Sequence, residues 1–458
     1  MRRIVIIGGG ISGLSAAYHL AKAGVPSTLV ERRSRLGGVI QTECVEGCLV
    51  EAGPDSFLSA KPWAMDLIRE LGLAGEVIAS NDHLRTTYIR KRGRLVPLPD
   101  GLMLMVPTRI LPMVTTPLLG WSTKIRMGLE CFRRPVAAPP ADRSVADFIR
   151  AHYGQEAVDY LAEPLLAGVY GGDPERLSVT SVLPLFTELE QKYGSLSRGV
   201  LSARRNRPRG APAPPLFQTL RSGLGALIQK LEESCAAYLT VLHDEALEVR
   251  QAGGRFVVQL TGGSLEADDL ILACQADEAG RLLSSLEPNL AQDLASIPYN
   301  SSVTISLGYR REEFDGRMHG FGFLIPRRER KRLVACTFVG TKFPYRTPPD
   351  KVMLRCFLGG AEERALHEPD EAVVAEVRAE LREILGLTAQ PVFTLVHRWP
   401  RSMAQYTVGH RRRVERIEER RKAIAGLELA GNAYTGIGVP DCARMGKQAA
   451  ERILARFA

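Results

Sequence analysis

The chain opens with IVIIGGGISG at residues 4–13, and this stretch decides how the protein folds. The apolar run Ile4–Ile7 breaks into glycines, an alanine-rich helical pattern follows, and a second apolar run ends at Glu31. These patterns predict a strand, a turn, a helix and a second strand. This order is the first unit of an α/β fold that binds a dinucleotide.

The residue types in the turn suit the binding of a pyrophosphate. Gly8 permits the tight turn, Gly10 lacks the Cβ that would block the phosphates, and Gly13 lets the helix pack closely on the strand. Free N–H groups and the positive end of the helix dipole then face the anion. The cofactor-binding residues predicted for this turn are Gly8, Gly10, Ile11, Ser12 and Gly13.

The acid at the end of the second apolar run narrows the choice of dinucleotide. Glu31 follows Gly13 by 18 residues, a spacing that suits a carboxylate accepting a hydrogen bond from a ribose 2′-OH. The same carboxylate would repel a 2′-phosphate, so the pattern favours FAD or NAD over NADP.

Length and composition allow two or three globular domains and set broad limits on the partners. The chain has 458 residues, of which 45% are hydrophobic and 24% charged, and its formal net charge is +9. This charge is compatible with nucleic acid, acidic lipid or a carboxylate-rich substrate, and it does not choose among them. We expect no nucleic-acid partner, because the sequence carries no motif for one.

The cysteines, histidines and apolar runs predict a cytoplasmic protein without a metal site. The eight cysteines are scattered and the eight histidines show no HExxH or paired spacing, which indicates reduced thiols. The run Ile4–Ile7 is too short for a signal peptide. The longest uncharged apolar-rich stretch, Ile110–Thr123, contains two prolines and is too short to span a bilayer. Contact with the inner face of the cell membrane would therefore be peripheral.

Residues 101–135 are rich in methionine, contain Trp121 and end in cations. This composition suits an apolar ligand channel or a membrane interface, and it equally suits a methionine-rich helical core. Just before it, Thr86–Ile89 and Leu95–Leu98 predict a hairpin with an exposed basic tip, Arg90–Arg94. Residues 297–400 predict a second, largely antiparallel sheet with one covering helix.

The residues from Glu31 to Gly38, ERRSRLGG, resemble the ExxxRxGG extension of the flavin amine oxidase and phytoene desaturase superfamily. Gly37 and Gly38 would bring a second stretch of bare backbone against the cofactor, and Arg32 and Arg35 would add charge near the phosphates. A basic solvated loop after a strand is the alternative. The implied cofactor is FAD.

The C-terminal region returns to the cofactor. A predicted strand, Leu427–Ala430, leads into a glycine-spaced loop and a helix from Val439 to Phe457, with Pro440 suited to its first turn. The N-terminus of this helix can face the N1–C2=O edge of a flavin, where its dipole would favour reduction. An ordinary strand, loop and helix is the alternative. The predicted contacts are Gly431, Gly436, Ile437, Gly438 and Val439.

Blocks along the whole chain resemble the oxygen-dependent protoporphyrinogen and coproporphyrinogen oxidases of haem biosynthesis. They are far more specific than a glycine fingerprint. They include GPDSFL at 53–58, EPLLAGVYGGD at 163–173, FQTL at 217–220, ACTF at 335–338, QYTVGH at 405–410 and GIGVPDC at 436–442. The resemblance places Gly53, Pro54 and Leu247 at the cofactor.

The resemblance implies an α/β fold with three parts. A discontinuous Rossmann-type FAD-binding domain would comprise residues 1–75, 217–290 and 425–458. A helical membrane-associated insert would span 100–205. A mixed-sheet substrate-binding domain would take 76–99 and 291–424.

The implied reaction is the removal of six electrons from a porphyrinogen in successive flavin cycles. Each cycle moves a hydride from a meso carbon to flavin N5 and ends with O2 becoming hydrogen peroxide. The implied partners are the porphyrinogen, oxygen, a membrane surface and other haem-pathway enzymes, and the protein would be a monomer or a homodimer.

Three residues match the substrate site of the resembled family. Arg85 matches an arginine that some members pair with a propionate, and Arg suits a carboxylate because it can bind both oxygens. Gly168 matches a loop glycine of the reaction site whose carbonyl faces the ring. Leu324 matches a ring-packing segment. A surface arginine near a hairpin and an ordinary core leucine are the alternatives for Arg85 and Leu324.

The motifs divide between two substrates. The blocks at 335–338 and 436–442 resemble the branch that uses coproporphyrinogen III, with four propionates, whereas Arg85 resembles the branch that uses protoporphyrinogen IX, with two. We favour coproporphyrinogen III slightly. The alternatives are another enzyme of the superfamily, of the carotenoid desaturase or polyamine oxidase type, and a flavoprotein that is not an enzyme.

Overall fold

The run Ile4–Ile7 forms the centre of a five-stranded sheet in which every neighbouring pair is parallel. All four residues of this run are buried, as expected for a parallel strand covered on both faces. In spatial order the strands are Leu239–Leu242, Ser27–Val30, Ile4–Ile7, Asp269–Leu272 and Leu427–Leu429. The sheet thus joins the beginning, the middle and the end of the chain.

Four helices pack together beside this sheet. Ile11–Lys22 lies against both Gly225–Cys235 and Val439–Leu454, and Pro62–Glu70 packs on the last of these. Small antiparallel sheets complete this half of the molecule. Their strands are Thr42–Val45 and Cys48–Glu51; Phe57–Leu58, Phe217–Leu220 and Val77–Ala79; and Ala246–Ala252, Arg255–Leu260 and Gly263–Ala267.

A seven-stranded sheet forms the second half. All neighbouring strands are antiparallel except Thr87–Lys91 and Gly322–Leu324, which are parallel, so the sheet is mixed. The helix Asp370–Leu385 contributes buried residues to the core on one face. The strands in order are Phe393–Ala404, Tyr299–Arg310, Lys351–Gly360, Ala335–Phe338, Gly322–Leu324, Thr87–Lys91 and Arg94–Pro97.

The predicted α/β class with a mixed sheet is confirmed, and one detail of the hairpin is wrong. Arg90, expected at an exposed basic tip, is 5% exposed and pairs with Glu383 of the helix Asp370–Leu385. The turn itself, Arg92-Gly93, lies at the surface as expected. The two strands of the hairpin remain paired up to Lys91 and Arg94, so the paired region includes basic residues.

Residues 101–205 are mainly helical. A π-helix, Val158–Ala162, leads directly into Glu163–Tyr170. The longer helices are Ile110–Thr115, Trp121–Leu129, Val145–Tyr153, Pro184–Tyr193 and Leu196–Arg205, and a two-stranded ladder joins Leu102–Met103 to Val106–Pro107. Further helices elsewhere are Ala276–Leu282, Pro288–Ala295, Val339–Lys342 and His410–Lys422.

The apolar segment 101–135 divides its side chains between core and surface. Met105, Met113 and Met127 are buried, whereas Ile110 and Phe132 are more than three-quarters exposed. The interpretation as a helical core therefore holds for part of the segment, and the other interpretation stays a prediction for the exposed part. Across the part of the chain that the structure describes, no helix has the length and apolar character needed to cross a membrane.

The computed structural model describes residues 2–103, 105–135, 141–205, 215–314, 319–360 and 363–457. Leu104, in the methionine-rich segment, and Met1 and Ala458, at the ends of the predicted domains, lie outside these ranges.

Candidate active site

A cavity of about 2380 Å³ is lined by residues from both large sheets and from the helical segment. The glycine turn after the first strand and the loop 436–439 form part of its wall. Gly168, Arg85 and the strand Lys351–Gly360 contribute other parts. Residues that the sequence assigns to a cofactor and to a substrate therefore border the same space.

The glycines of the first turn differ in what a side chain would meet. Gly8 has a φ of +109°, and an added Cβ would lie 2.7 Å from the Ala273 carbonyl oxygen. At Gly13 the Cβ would lie 1.9 Å from the carbonyl oxygen of Gly8. At Gly10, which lines the cavity, it would meet no atom within 4 Å. Gly8 and Gly13 serve the packing of strand and helix, and Gly10 leaves space for a ligand.

The helix that follows this turn presents an uncapped N-terminus. Gly10 is its N-cap and supplies no side-chain acceptor, and no acidic residue stands in the first turn. Ile11 and Ser12, the first residues of the helix, line the cavity. Unpaired N–H groups and the positive end of the dipole make this end suitable for a phosphate. The donor set and the open space at Gly10 fit the pyrophosphate of FAD.

Glu31 borders the cavity with its carboxylate already ordered. One oxygen accepts the N–H of Gly9 at 2.7 Å and the other accepts the N–H of Arg33 at 2.9 Å. A carboxylate has about four lone-pair positions, so acceptor capacity remains for a ribose hydroxyl. Arg32 also lines the cavity, next to this carboxylate.

Arg35 serves the protein's own backbone. Its guanidinium donates to the carbonyls of Leu36, Gly38 and Ile40, and its side chain is not among the residues that line the cavity. These bonds shape the loop that carries Gly37. The Gly37 N–H donates to the Gly9 carbonyl at 2.8 Å, which joins the second glycine turn to the first. Gly37 and Gly38 both line the cavity.

The Gly53-Pro54 turn fastens the cofactor side of the cavity to the seven-stranded sheet. A Cβ at Gly53 would lie 1.9 Å from the Val39 carbonyl oxygen, so only glycine fits. The preceding carbonyl, of Ala52, accepts from Thr304 Oγ1 at 2.8 Å and from Trp399 Nε1 at 2.9 Å. The turn therefore has a fixed position on the wall.

Leu247, expected at the cofactor, is 42% exposed and is not on the wall of the cavity. Its carbonyl accepts from Arg281 Nη1 at 2.9 Å. The neighbouring residues Glu245 and Ala246 do line the cavity. This edge of the site is therefore displaced by one or two residues from the position that the sequence indicates.

The loop before the last helix contributes Gly431, Gly436, Ile437, Gly438 and Val439 to the wall. The N–H of Gly436 donates to Tyr406 Oη at 2.8 Å. In the first turn of the helix, Asp441 pairs with Lys61 at 2.5 Å. Nearby Tyr170 also faces the cavity, and burial, together with the Asp441 carboxylate, raises its pKa to about 12. Tyr170 therefore stays neutral at physiological pH.

The substrate residues expected from the sequence occupy different depths. Gly168 lies on the wall in the last turn of its helix, where carbonyls lack an intrahelical donor. Arg85 is exposed at the cavity wall, directly after the short 3-10 turn Asp82–Leu84. Leu324 lies behind the wall, since its Cδ2 would be 3.2 Å from a Cβ at Gly168.

Arg355 and Trp399 line the cavity, and neither residue was predicted there from the sequence. Arg355 is the only charged residue between Val352 and Gly360 of an otherwise apolar strand. A lone charge in such a strand is unusual, because arginine is almost never buried without a partner. That contrast is the signal that could have identified it.

Comparisons with known proteins agree with this geometry. The family model described as "Flavin containing amine oxidoreductase" matches residues 11–454. Coproporphyrinogen III oxidase of Bacillus subtilis is 33% identical over 98% of this chain and 97% of its own. Human protoporphyrinogen oxidase is 32% identical over 99% of this chain and 98% of its own.

Solved structures support the fold. A protein from Exiguobacterium sp. 255-15 has a TM-score of 0.89 and 31% identity, with 99% of each chain covered. A putrescine oxidase variant has a TM-score of 0.72 with 17% identity and 99% of each chain covered, which establishes likeness of fold alone.

Proposed function

Because the chain belongs to the family of flavin-containing amine oxidoreductases, we propose that it is an FAD-dependent porphyrinogen oxidase of haem biosynthesis. The observation that carries the proposal is the single cavity that joins the glycine turns to Gly168 and Arg85. A macrocycle held there would lie beside the cofactor. We favour coproporphyrinogen III over protoporphyrinogen IX as the substrate, with O2 as the final electron acceptor and hydrogen peroxide as the reduced product.

When bound, FAD would supply a two-electron acceptor, used three times for each porphyrin formed. In our proposal, Gly10 and the first turn of Ile11–Lys22 hold its pyrophosphate, and Glu31 accepts a hydrogen bond from its ribose. The N-terminus of Val439–Leu454, where the Gly438 N–H donates to Asp441, would face the flavin end of the cofactor. The packing glycines Gly13 and Gly53 keep the surrounding backbone close enough to form this cradle.

On the substrate side, the chain's task is orientation and the exclusion of water. Gly168 would present its backbone to the ring, because a side chain there would point towards Leu324. Leu165, Leu166 and Val169 give this part of the cavity an apolar lining. Arg85, at the exposed side, binds a propionate. Leu324 supports this wall from behind Gly168.

The domain division of the proposal follows the two large sheets. All five strands of the parallel sheet fall within residues 1–75, 217–290 and 425–458, which we assign to FAD binding. All seven strands of the mixed sheet fall within 76–99 and 291–424, which we assign to the substrate. Residues 100–205 form the helical insert.

We further propose that this insert makes peripheral contact with the inner face of the cell membrane. Trp121, Ile125 and Leu129 recur every four residues along one helix and are each more than half exposed. Phe132 continues this face, and the ammonium of Lys124 lies 4.8 Å from the Trp121 ring. An exposed apolar face with flanking cations suits an anionic lipid surface.

The proposed function is tested by mixing the FAD-loaded protein anaerobically with each porphyrinogen. Flavin absorbance should bleach with both substrates, with coproporphyrinogen III modestly preferred, and admission of air should restore the colour and produce red porphyrin fluorescence. Polyamines and a carotene precursor serve as control substrates for the rest of the superfamily. Bleaching by one of these controls, with none by a porphyrinogen, would contradict the proposal.

A further inference from the structure

A cluster of buried and partly buried charges lies behind the Gly53-Pro54 turn. Asp55 binds Lys342 Nζ at 2.9 and 3.0 Å, and Arg355 Nη1 lies 3.8 Å from the same carboxylate. Arg346 pairs with Glu51 at 3.0 Å. Among the residues that the structure describes, the cluster holds three cations against two carboxylates. Within that described part of the chain, one positive charge therefore has no full partner.

The geometry identifies Arg355 as that charge. Burial alone would raise the pKa of Asp55, but Lys342 and Arg355 lower it well below its usual range, so this carboxylate stays ionised. Its charge is matched by Lys342 at hydrogen-bonding distance. Glu51 is matched by Arg346. Arg355 is left with a contact at 3.8 Å, which is too long for a hydrogen bond.

Arg355 is also incompletely hydrogen-bonded. Its side chain is 5% exposed, its Nη2 donates to the Gly53 carbonyl, and its Nε has no hydrogen-bond partner among the described residues. Burial lowers the pKa of this guanidinium despite the nearby carboxylates of Asp55 and Glu51. The Phe357 ring, with its centroid 4.8 Å from the guanidinium carbon, offsets part of the cost of burying this cation. An anion from outside the chain would offset more of it. Arg355 borders the cavity, so a bound ligand can supply that anion.

We propose that Arg355 binds a carboxylate of the substrate at the buried part of the cavity, while Arg85 binds one at the exposed side. The inference rests on the proposed function and names a residue that determines its specificity. The propionates of coproporphyrinogen III lie on all four pyrrole rings, so this substrate needs cations at both ends of its slot. Protoporphyrinogen IX carries vinyl groups at one end and needs no cation there.

The test measures binding of coproporphyrin III and of its uncharged tetramethyl ester to the FAD-loaded protein by quenching of porphyrin fluorescence. The wild type should bind the free acid more tightly than the ester. Arg355→Met should weaken binding of the acid at least tenfold and change binding of the ester by less than threefold. Arg355→Lys keeps the charge and loses the two-pronged geometry of the guanidinium, so its affinity for the acid should lie between those of the wild type and Arg355→Met. Arg398→Met is the matched control, because Arg398 is on a strand of the same sheet and pairs with Asp370 away from the cavity.

FAD content and the flavin absorbance spectrum are measured on the same samples and should not change. Equal weakening of both probes, or a lost or altered flavin signal with unchanged discrimination, would assign Arg355 to the turn or to the cofactor and overturn the inference. If Arg355→Met does not fold, unchanged discrimination in Arg355→Lys would overturn it equally. Failure of the wild type to bind either porphyrin would instead count against the proposed function, together with this inference.

Discussion

At the scale of single residues, the glycines of the cavity wall have two distinct roles. A side chain at Gly8, Gly13 or Gly53 would strike a backbone carbonyl of the protein itself, so these positions constrain the fold. Gly10 is different, because the space beside it is open. Substitution there should affect the ligand and spare the fold, which separates the two roles experimentally.

We expect Gly10→Val to fold and to lack FAD. The branched side chain would occupy the space assigned to the pyrophosphate without meeting a protein atom within 4 Å of its Cβ. The measurement is flavin absorbance per mole of purified protein, with circular dichroism to check the fold. Gly128→Val is the matched control, since Gly128 also has no atom within 4 Å and does not line the cavity. Full yellow colour in Gly10→Val would show that the phosphates lie elsewhere.

Arg85→Ala should weaken substrate binding and leave the flavin unchanged. A hydrogen bond to a charged group contributes about 1.5–3 kcal/mol, so we expect KM to rise by roughly one to two orders of magnitude. Flavin absorbance should match that of the wild type. Arg94→Ala, on the hairpin that follows Arg85 and away from the cavity, is the control. An unchanged KM in Arg85→Ala would remove this residue from the site.

At the scale of secondary-structure elements, the helix Trp121–Leu129 faces two environments. Met127 and Thr123 are buried in the insert, whereas Trp121, Ile125 and Leu129 are exposed. An isolated apolar side chain at the surface needs no explanation, but three on one helical face form a stripe. The stripe is the feature on which the proposed membrane contact depends.

Leu129→Glu should reduce co-sedimentation with anionic lipid vesicles severalfold. Burial of one large apolar side chain contributes about 1.5–3 kcal/mol, and a carboxylate would also be repelled by the lipid. Thermal stability should change little, because Leu129 is 62% exposed. Leu185→Glu, at another exposed leucine of the insert, is the control. Equal sedimentation of the two variants would leave the stripe without this role.

The same scale shows why local patterns predicted some elements fully and others only in part. The run Ile4–Ile7 and its glycine turn were predictable because hydrophobic period and turn chemistry are encoded within a few residues. The hairpin at 87–97 was predictable for the same reason. The burial of Arg90 was not, because its partner Glu383 lies 293 residues away. The position of Arg355 depends likewise on Gly53, 302 residues distant.

The site divides in the same way. Gly8, Gly10 and Glu31 follow from a continuous motif, and the structure places all three on the cavity wall. Arg35 belongs to that motif too, yet its guanidinium donates to nearby backbone carbonyls. Composition alone does not tell whether an arginine binds a phosphate or the carbonyls of its own loop. Leu324 lies behind Gly168 and not on the cavity wall. The sequence indicates that a residue is apolar, but not whether it lines a cavity or packs behind its wall.

At the scale of the whole molecule, buried histidines link distant parts of the chain. His19, in the first long helix, lies near Glu70 and near Lys447 of the last helix. His410 stacks on Tyr406 with ring centroids 4.0 Å apart, and its Nε2 donates to the Tyr434 carbonyl at 3.0 Å. Each imidazole is thus held in a neutral form by its surroundings, and the folded protein resists protonating it.

Mild acid should therefore destabilise the protein as a whole. Burial lowers the pKa of both His19 and His410 to about 4, and the nearby cations Lys447 and Arg413 act in the same direction. An unfolded chain protonates histidine near its ordinary pKa of about 6.5. Between these values the unfolded state binds protons that the folded state does not, so the free energy of unfolding falls as pH decreases. The loss is about 3 kcal/mol for each histidine and is complete near pH 4.

The variant His410→Gln isolates one of these contributions. Glutamine keeps a donor for the Tyr434 carbonyl and cannot titrate, so the proton that His410 takes up on unfolding is removed. Urea denaturation followed by tryptophan fluorescence at several values between pH 5 and 7 gives the dependence of unfolding free energy on pH. Near pH 5 the slope for the variant should be smaller than that of the wild type by about 1.4 kcal/mol per pH unit, the value for one proton.

The exposed His367 provides the control His367→Gln, which should keep most of the wild-type slope. Equal slopes in the wild type and His410→Gln would mean that the folded protein protonates His410 as readily as the unfolded chain does. The unpartnered Nδ1 of His410, buried beside the guanidinium of Arg413, argues against that outcome, because a proton there would create a buried cation next to another.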